Sequence, residues 1–149
     1  MQLPDDQPKA DMHPDRLRAL AMLLGIPKPA PVAQASVLLL GVSLGSNLLA
    51  LASEYPKTSF TAVCLNSQDA SQLQAAYTHL GLHNIQLHLQ DQWLNKDTTQ
   101  TFDYVLCHGY FSYLDAQSKQ TLLDSTRQSL NETGIAYIDY LIEPGWQAF

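Results

Sequence analysis

Val37-Leu38-Leu39-Leu40-Gly41-Val42-Ser43-Leu44-Gly45-Ser46-Asn47 is a short apolar run that breaks into small residues and then restarts as a helix. It reads as a buried strand, a tight turn and a helix N-terminus. In doubly wound α/β proteins that sequence of elements holds nucleotide-like cofactors, because a glycine loop at the strand's carboxyl end lets the ligand approach the backbone. Ordinary βα turns use glycine too, so the stretch alone leaves both uses open.

Toward the N-terminus, Pro27, Pro29 and Pro31 make a stiff connector over residues 27–31. Before it, residues 13–25 read as an amphipathic leading helix. Pro14 suits the first turn, Leu17, Leu20, Ala21 and Leu24 recur at helical spacing, and Gly25 supplies a stop. That stripe is read as packing on the sheet. Residues 1–12 are polar and are expected to be flexible.

Toward the C-terminus the pattern alternates strand and helix. A helix over 47–54 ends at Tyr55-Pro56-Lys57, and an apolar strand follows over 60–65. The next helix, 67–80, carries Ala70, Leu73, Tyr77 and Leu80 on one face, with Gly81 as its cap. Ile85, Leu87 and Leu89 alternate with Gln86, His88 and Gln90, the pattern of a half-exposed edge strand. Polar residues 95–101 read as a loop, Phe102–Cys107 as the fourth strand, 119–130 as a helix, 131–134 as a turn and 135–141 as the fifth strand. The expected fold is therefore α/β: one domain over 1–149 whose core, 36–142, is a three-layer sandwich with a mainly parallel sheet in the order 3-2-1-4-5.

Composition limits the function. Hydrophobic residues at 46% and charged residues at 15% describe a soluble globule. A net charge of −6 with only eight Lys and Arg opposes a nucleic-acid partner, which needs a basic face, and an acidic membrane surface likewise. Residues 1–10 lack the apolar core of a signal peptide, and no run approaches the ~18 residues of a membrane span, so the expected location is the cytoplasm. Cys64 and Cys107 fit neither a disulfide scaffold nor a zinc site. Each ends a strand flanking the first, so their backbones should stand about 9–10 Å apart, beyond the ~7 Å limit of a disulfide. His79 and His83 are four apart, but Gly81 ends the helix between them and no metal site is expected.

Taken together, His13-Pro14-Asp15-Arg16-Leu17, Val37 to Asn47, Phe102-Asp103-Tyr104 running into His108-Gly109, and Gly134-Ile135-Ala136-Tyr137 ending at Pro144-Gly145-Trp146 resemble class I S-adenosylmethionine-dependent methyltransferases. The resemblance is closest to bacterial proteins that join such a domain to a methyltransferase regulatory domain, a group that includes protein lysine methyltransferases. It implies a Rossmann-like sandwich and S-adenosylmethionine as cofactor. The implied cofactor site is Gly41, Ser43, Gly45 and Asn47 in the glycine turn, Cys64 and Leu65 after the second strand, Asp91 and Gln92 after the third, and His108 after the fourth. In the family an aspartate at the Asp91 position meets the adenine amino group, and Trp93 would cover either an adenine face or the sheet end.

Three departures from the family pattern fall in that site. Leu39 stands where the family's first motif has an acid, and Ser43 replaces its middle glycine. Cys64 stands where an acid hydrogen-bonds both ribose hydroxyls, 23 positions past Gly41, against about 20 in dinucleotide folds. Hydrogen bonds to a charged group contribute about 1.5–3 kcal/mol each, so loss of this acid should weaken binding by roughly one to two orders of magnitude.

For chemistry the candidates are His108, which follows the fourth strand where open α/β sheets bind ligands and is of a residue type suited to proton transfer near neutral pH, and Tyr110. The alternative for this cluster is structural, with His108 and Tyr113 hydrogen-bonding backbone around a tight Gly109 turn. Two functions follow: a methyltransferase-like domain with a degenerate cofactor site, weak or inactive in methyl transfer, or a non-catalytic interaction or regulatory module that keeps only the fold. The family's sixth and seventh strands do not appear, so the chain reads as truncated after the fifth. Tyr137, Ile138, Tyr140, Leu141 and Ile142 would then form an apolar edge that pairs with a second copy or a separate polypeptide, or is covered by the chain's own N-terminal segment.

Overall fold

The computed structural model describes residues 7–94 and 100–142. At its centre lies β1 (Ser36–Val42), flanked by β2 (Ser59–Cys64) and β4 (Phe102–Cys107), with β3 (Ile85–Leu89) and β5 (Leu130–Ile138) at the edges. All four pairings are parallel and the order is β3-β2-β1-β4-β5, as the alternation of strands and helices predicts. The connecting helices are α1 (Pro14–Leu23), α2 (Ser46–Glu54), α3 (Ser67–His79), α4 (Gln90–Leu94) and α5 (Ala116–Ser129).

The side-chain period of two divides β1 between two cores. Val37 and Leu39 face a cluster with Leu17 of α1, Leu48 and Leu51 of α2 and Leu73 of α3. Leu38 and Leu40 face the other side, with Trp93 of α4 and Leu122 of α5. Strict alternation would put Val42 with Leu38 and Leu40, yet it packs with Val37 and Leu39. The cause is a register shift between Leu40 and Val42, where Gly41 takes a φ of 71° that L side chains rarely adopt.

The cysteines follow the same logic. Cys64 lies in the first cluster and Cys107 in the second, so the thiols point to opposite faces of the sheet and both are free.

Several boundaries differ from expectation. Residues 10–12 are not a flexible lead-in: they form a 3-10 turn with Met12 buried, and the Lys9 N–H donates to Asn47 Oδ1 at 2.6 Å. Residues 1–6 lie outside the described residues. In the leading helix Leu17 and Ala21 turn inward, but Leu20 is 46% and Leu24 72% exposed. The helix ends at Leu23, Leu24 is its C-cap outside the stripe, and Gly25 at φ 67° then turns the chain. Helix α5 starts three residues early because Asp115 caps it, its Oδ1 accepting from the Ser118 N–H at 2.7 Å.

Strand β5 begins at Leu130 rather than 135 and ends at Ile138 rather than 141. Leu130 pairs with Phe102, the register then shifts, and pairing resumes from Tyr104–Ile135 to Cys107–Ile138. The residues expected as a turn are knitted in by Asn131, whose Nδ2 donates to Asp103 Oδ1 at 2.6 Å. Residues 95–99 of the expected 95–101 loop and the Pro144-Gly145-Trp146 landmark lie outside the described residues. Among those residues no helix is long and apolar enough to cross a membrane.

Candidate cofactor site at the β1–β4 crevice

The chain runs from β1 outward to β2 and β3 on one side, then crosses back to β4 and β5 on the other. The carboxyl ends of β1 and β4 therefore form the topological switch point, where open α/β sheets bind ligands. Two glycines shape the β1 side. Gly41 sits at φ 71° and Gly45, the N-cap of α2, at φ 77°, with no side chain capping the helix. The first-turn N–H groups of α2 thus follow directly on the glycine turn.

On the α5 face of this turn lies a cleft of about 160 Å³, walled by Leu40, Gly41, Val63, Gln90, Trp93, Tyr110 and Leu122 among others. Its lining is chiefly apolar and its volume suits a single ring, against roughly 300–1,000 Å³ for whole small-molecule sites. Tyr110 closes one end, buried, with its hydroxyl donating to Gln90 Oε1 at 2.7 Å. Burial raises the phenol's pKa, and the bond to Gln90 pulls the other way. Trp93 is buried against the sheet, its ring 6.0 Å from Phe102 and 5.4 Å from His88, and it also lines the cleft.

On the β4 side, His108 Nδ1 is hydrogen-bonded to Asp139 Oδ2, and Asp139 Oδ1 accepts from the Gly109 N–H at 2.6 Å. Asp139 stands one residue past β5, its own N–H donating to the Cys107 carbonyl at 3.2 Å. Burial works to raise the Asp139 carboxyl, but the bonds from His108 and Gly109 together hold it below the ordinary value of 3.8. Gly109 does make the tight turn expected of it, at φ 66°. The partner of His108, however, is a carboxylate from the next strand and not backbone, and Tyr113 sits in a 3-10 turn with its N–H on the Tyr110 carbonyl.

Of the residues singled out from the sequence, Gly41 and Tyr110 meet at the cleft. His108 is half-buried at the adjoining strand end, and Leu65 packs against the Trp93–Tyr110 cluster. Ser43 is half-buried and Gly45 buried in the turn. Asn47 is held by the Lys9 main chain, and Asp91 and Gln92 are exposed at the start of α4. Cys64 is fully buried, where desolvation, with a contribution from Asp69, pushes its thiol up to about 11. Sequence reasoning missed Gln90 and Asp139. Neither carried a usable signal: Asp139 lies inside the strand expected over 135–141, and only the end of β5 at Ile138 places it past the strand.

An open parallel sheet with a glycine turn at its switch point defines an α/β domain of the cofactor-binding type. Residues 37–134 match the family model described as a methyltransferase domain, and the chain belongs to that family. It is 33% identical over 142 residues to the uncharacterized protein RP789 of Rickettsia prowazekii (strain Madrid E), covering 95% of this chain and 26% of that one. A second protein of that organism, RP028, is 30% identical, with 90% and 53% covered. Among solved structures, PKMT2 from Rickettsia typhi in complex with AdoHcy superposes with a TM-score of 0.87 at 28% identity, over 96% of this chain and 27% of that one. Coclaurine N-methyltransferase bound to N-methylheliamine and SAH shares the fold, with a TM-score of 0.65 at 19% identity over 90% and 38%. The chain thus spans between about a fifth and about half of the curated relatives it matches.

Proposed function

We propose that this domain binds S-adenosylmethionine at the β1–β4 crevice and serves methyl transfer, with a weaker hold on the cofactor than its family's motif provides. The observation that carries the reading is the glycine turn. Gly41 and Gly45 both occupy the left-handed region in the turn that follows the central strand, with the Tyr110 and Leu73 side chains packed against them, the glycine-turn geometry by which open α/β sheets admit a cofactor. AdoHcy in the related PKMT2 structure supports the same ligand class.

The residues fit that cofactor on one side better than on the other. Main chain from Gly41 to Gly45 and the start of α2 would hold its amino-acid portion, and Asp91 and Gln92 its adenine. At the ribose position Cys64 is buried and stays a neutral thiol, its pKa near 11, so it offers no anionic acceptor. When bound, the group supplies a methyl already activated on a sulfonium, which leaves this chain the work of alignment. The reading extends to association: the outer edge of β5 takes a strand from a second copy or a separate polypeptide.

Calorimetric titration with S-adenosylmethionine and S-adenosylhomocysteine tests the proposal. The expected dissociation constants are weaker than micromolar, tightening at least tenfold in Cys64→Asp, provided circular dichroism shows that variant folded. Micromolar or tighter binding by the native chain overturns the weakened hold. No binding by either protein favours a module that keeps only the fold.

A further inference from the structure

We propose that His108 and Asp139 form a proton-accepting pair at the β1–β4 crevice, with His108 Nε2 taking the proton that an O–H or N–H nucleophile loses on methylation. The pair deepens the methyltransferase reading and rests on it.

Position comes first. Leu40 and Cys107 are register partners, so Gly41 and His108 are the next residues along two neighbouring strands, which lie about 4.8 Å apart. His108 therefore stands across the switch point from the glycine turn.

Orientation follows from Asp139. Both carboxylate oxygens are engaged, Oδ2 by His108 Nδ1 and Oδ1 by the Gly109 N–H. Its main-chain N–H is tied to the Cys107 carbonyl, so the carboxylate is fixed from three directions. A carboxylate only accepts, so the imidazole proton sits on Nδ1 and the lone pair of the neutral ring on Nε2. An aspartate that fixes tautomer and ring orientation and then stabilises the imidazolium is the arrangement of a histidine general base.

The decisive observation is Nε2 itself. It is buried and has no hydrogen-bond partner among the described residues. A histidine serving only to tie β4 to β5 would be expected to satisfy both nitrogens, since buried polar atoms nearly always find partners. The neighbouring groups do not compete for the proton: burial, with the Asp139 charge adding, pushes the Cys107 thiol up to about 12, and the Tyr110 hydroxyl is committed to Gln90.

In the step inferred here the acceptor's lone pair bonds to the methyl carbon of the sulfonium donor, and the carbon–sulfur pair stays on sulfur as a neutral thioether. The acceptor proton passes to Nε2, and the imidazolium later releases it to water. The acceptor class is thus a hydroxyl or an amine bearing hydrogen, and a nucleophile with no proton to lose gains nothing from the pair.

Nitrogen NMR on protein labelled in its histidine rings tests this without need of the natural acceptor. His108, assigned by its loss in His108→Gln, is expected as the Nδ1–H tautomer. Titration with n-butylamine or n-butanol, with and without S-adenosylhomocysteine, should move Nε2 toward its protonated position, while dimethyl sulfide leaves it in place. Asp139→Asn turns the partner into a donor and should shift the proton to Nε2. An Nε2–H tautomer in the native chain, or an Nε2 unmoved by amine and alcohol alike, overturns the pair as a proton acceptor. Should S-adenosylhomocysteine fail to bind while Nε2 answers the probes, the methyltransferase reading falls and the proton-accepting pair stands.

Discussion

Tyr110 rests against Gly41 so closely that a β-carbon on the glycine would stand 2.5 Å from Tyr110 Cγ. The same glycine holds a φ of 71° and carries the register shift that turns Val42 to the opposite face of β1. Backbone sign, close packing and the cleft wall thus all depend on one position lacking a side chain. Gly41→Ala should lower stability by about 2–5 kcal/mol, combining about 1–2 for the left-handed conformation with about 1–3 for overpacking. Urea denaturation measures it. In a Tyr110→Gly background the loss should shrink to the backbone part, and full additivity of the two substitutions would show that the contact is not what forbids a side chain.

Asn84 ties three segments together. Its Nδ2 lies 3.1 Å from the Ala52 carbonyl, 3.0 Å from that of Tyr55 and 3.1 Å from that of Thr58, joining the end of α2 to the approaches of β2 and β3. Asn84→Ala should cost about 1–3 kcal/mol, because carbonyls shielded from water lose their donor. Asn84→Asp, nearly the same in shape, should do worse above pH 5, since its acceptor-only carboxylate would face three carbonyl oxygens. Equal stability of native and Asn84→Asp proteins at pH 7 would contradict the role given to this amide.

What the sequence reveals is what is local or periodic. The β1 run and its glycines, the helical stripe of α3 and the strand–helix alternation determine the sheet order, because buried parallel strands and amphipathic helices carry their signatures within a few residues. What stays hidden is long-range or side-chain specific. Asn131 and Gly134 look like turn residues, and it takes pairing with β4 and the bond from Asn131 to Asp103, 28 positions away, to tie them into β5. Asp139 reads as the lone charge on an apolar strand until folding brings it to His108, 31 positions back. Asn84 has no sequence signal, being a single amide whose partners are all main chain.

Both cysteines are held as thiols by burial, Cys64 pushed up to about 11 and Cys107 to about 12 from an ordinary 9.0. The folded state therefore keeps protons that the unfolded chain releases above pH 9. Their contribution to stability is fully present below pH 9 and is lost as pH rises through 11 to 12. Melting temperatures measured from pH 8 upward should be flat at first and fall beyond pH 9, and the fall should be shallower in Cys64→Ala with Cys107→Ala. Tyr104, buried and raised to about 12, leaves part of the slope in place. A thiol-reactive dye should count two thiols per chain after denaturation without reductant and react slowly with the native protein. Rapid native labelling of both would contradict their burial.

The outer edge of β5 is where this chain should meet another. Among the described residues β5 pairs with β4 alone, so alternate main-chain groups along it face outward. Proteins guard such edges with lysine, proline or a charge, and from Ile135 to Ile142 the sequence has neither lysine nor proline. The single charge, Asp139, is turned inward to His108 and Gly109, and so it does not protect the edge. Beyond it Tyr140 and Ile142 are 64% and 62% exposed, extending an apolar border. Light scattering across a concentration series should show mass rising with concentration, and hydrogen exchange over 135–138 should slow as it does. Tyr140→Lys should suppress both effects. Leu23→Lys, on an exposed apolar surface at the end of α1, should suppress neither. A mass independent of concentration with fast exchange along β5 would mean the edge is tolerated bare. If Leu23→Lys abolished association while Tyr140→Lys did not, the contact would lie on the helix and strand addition would be excluded as its mode.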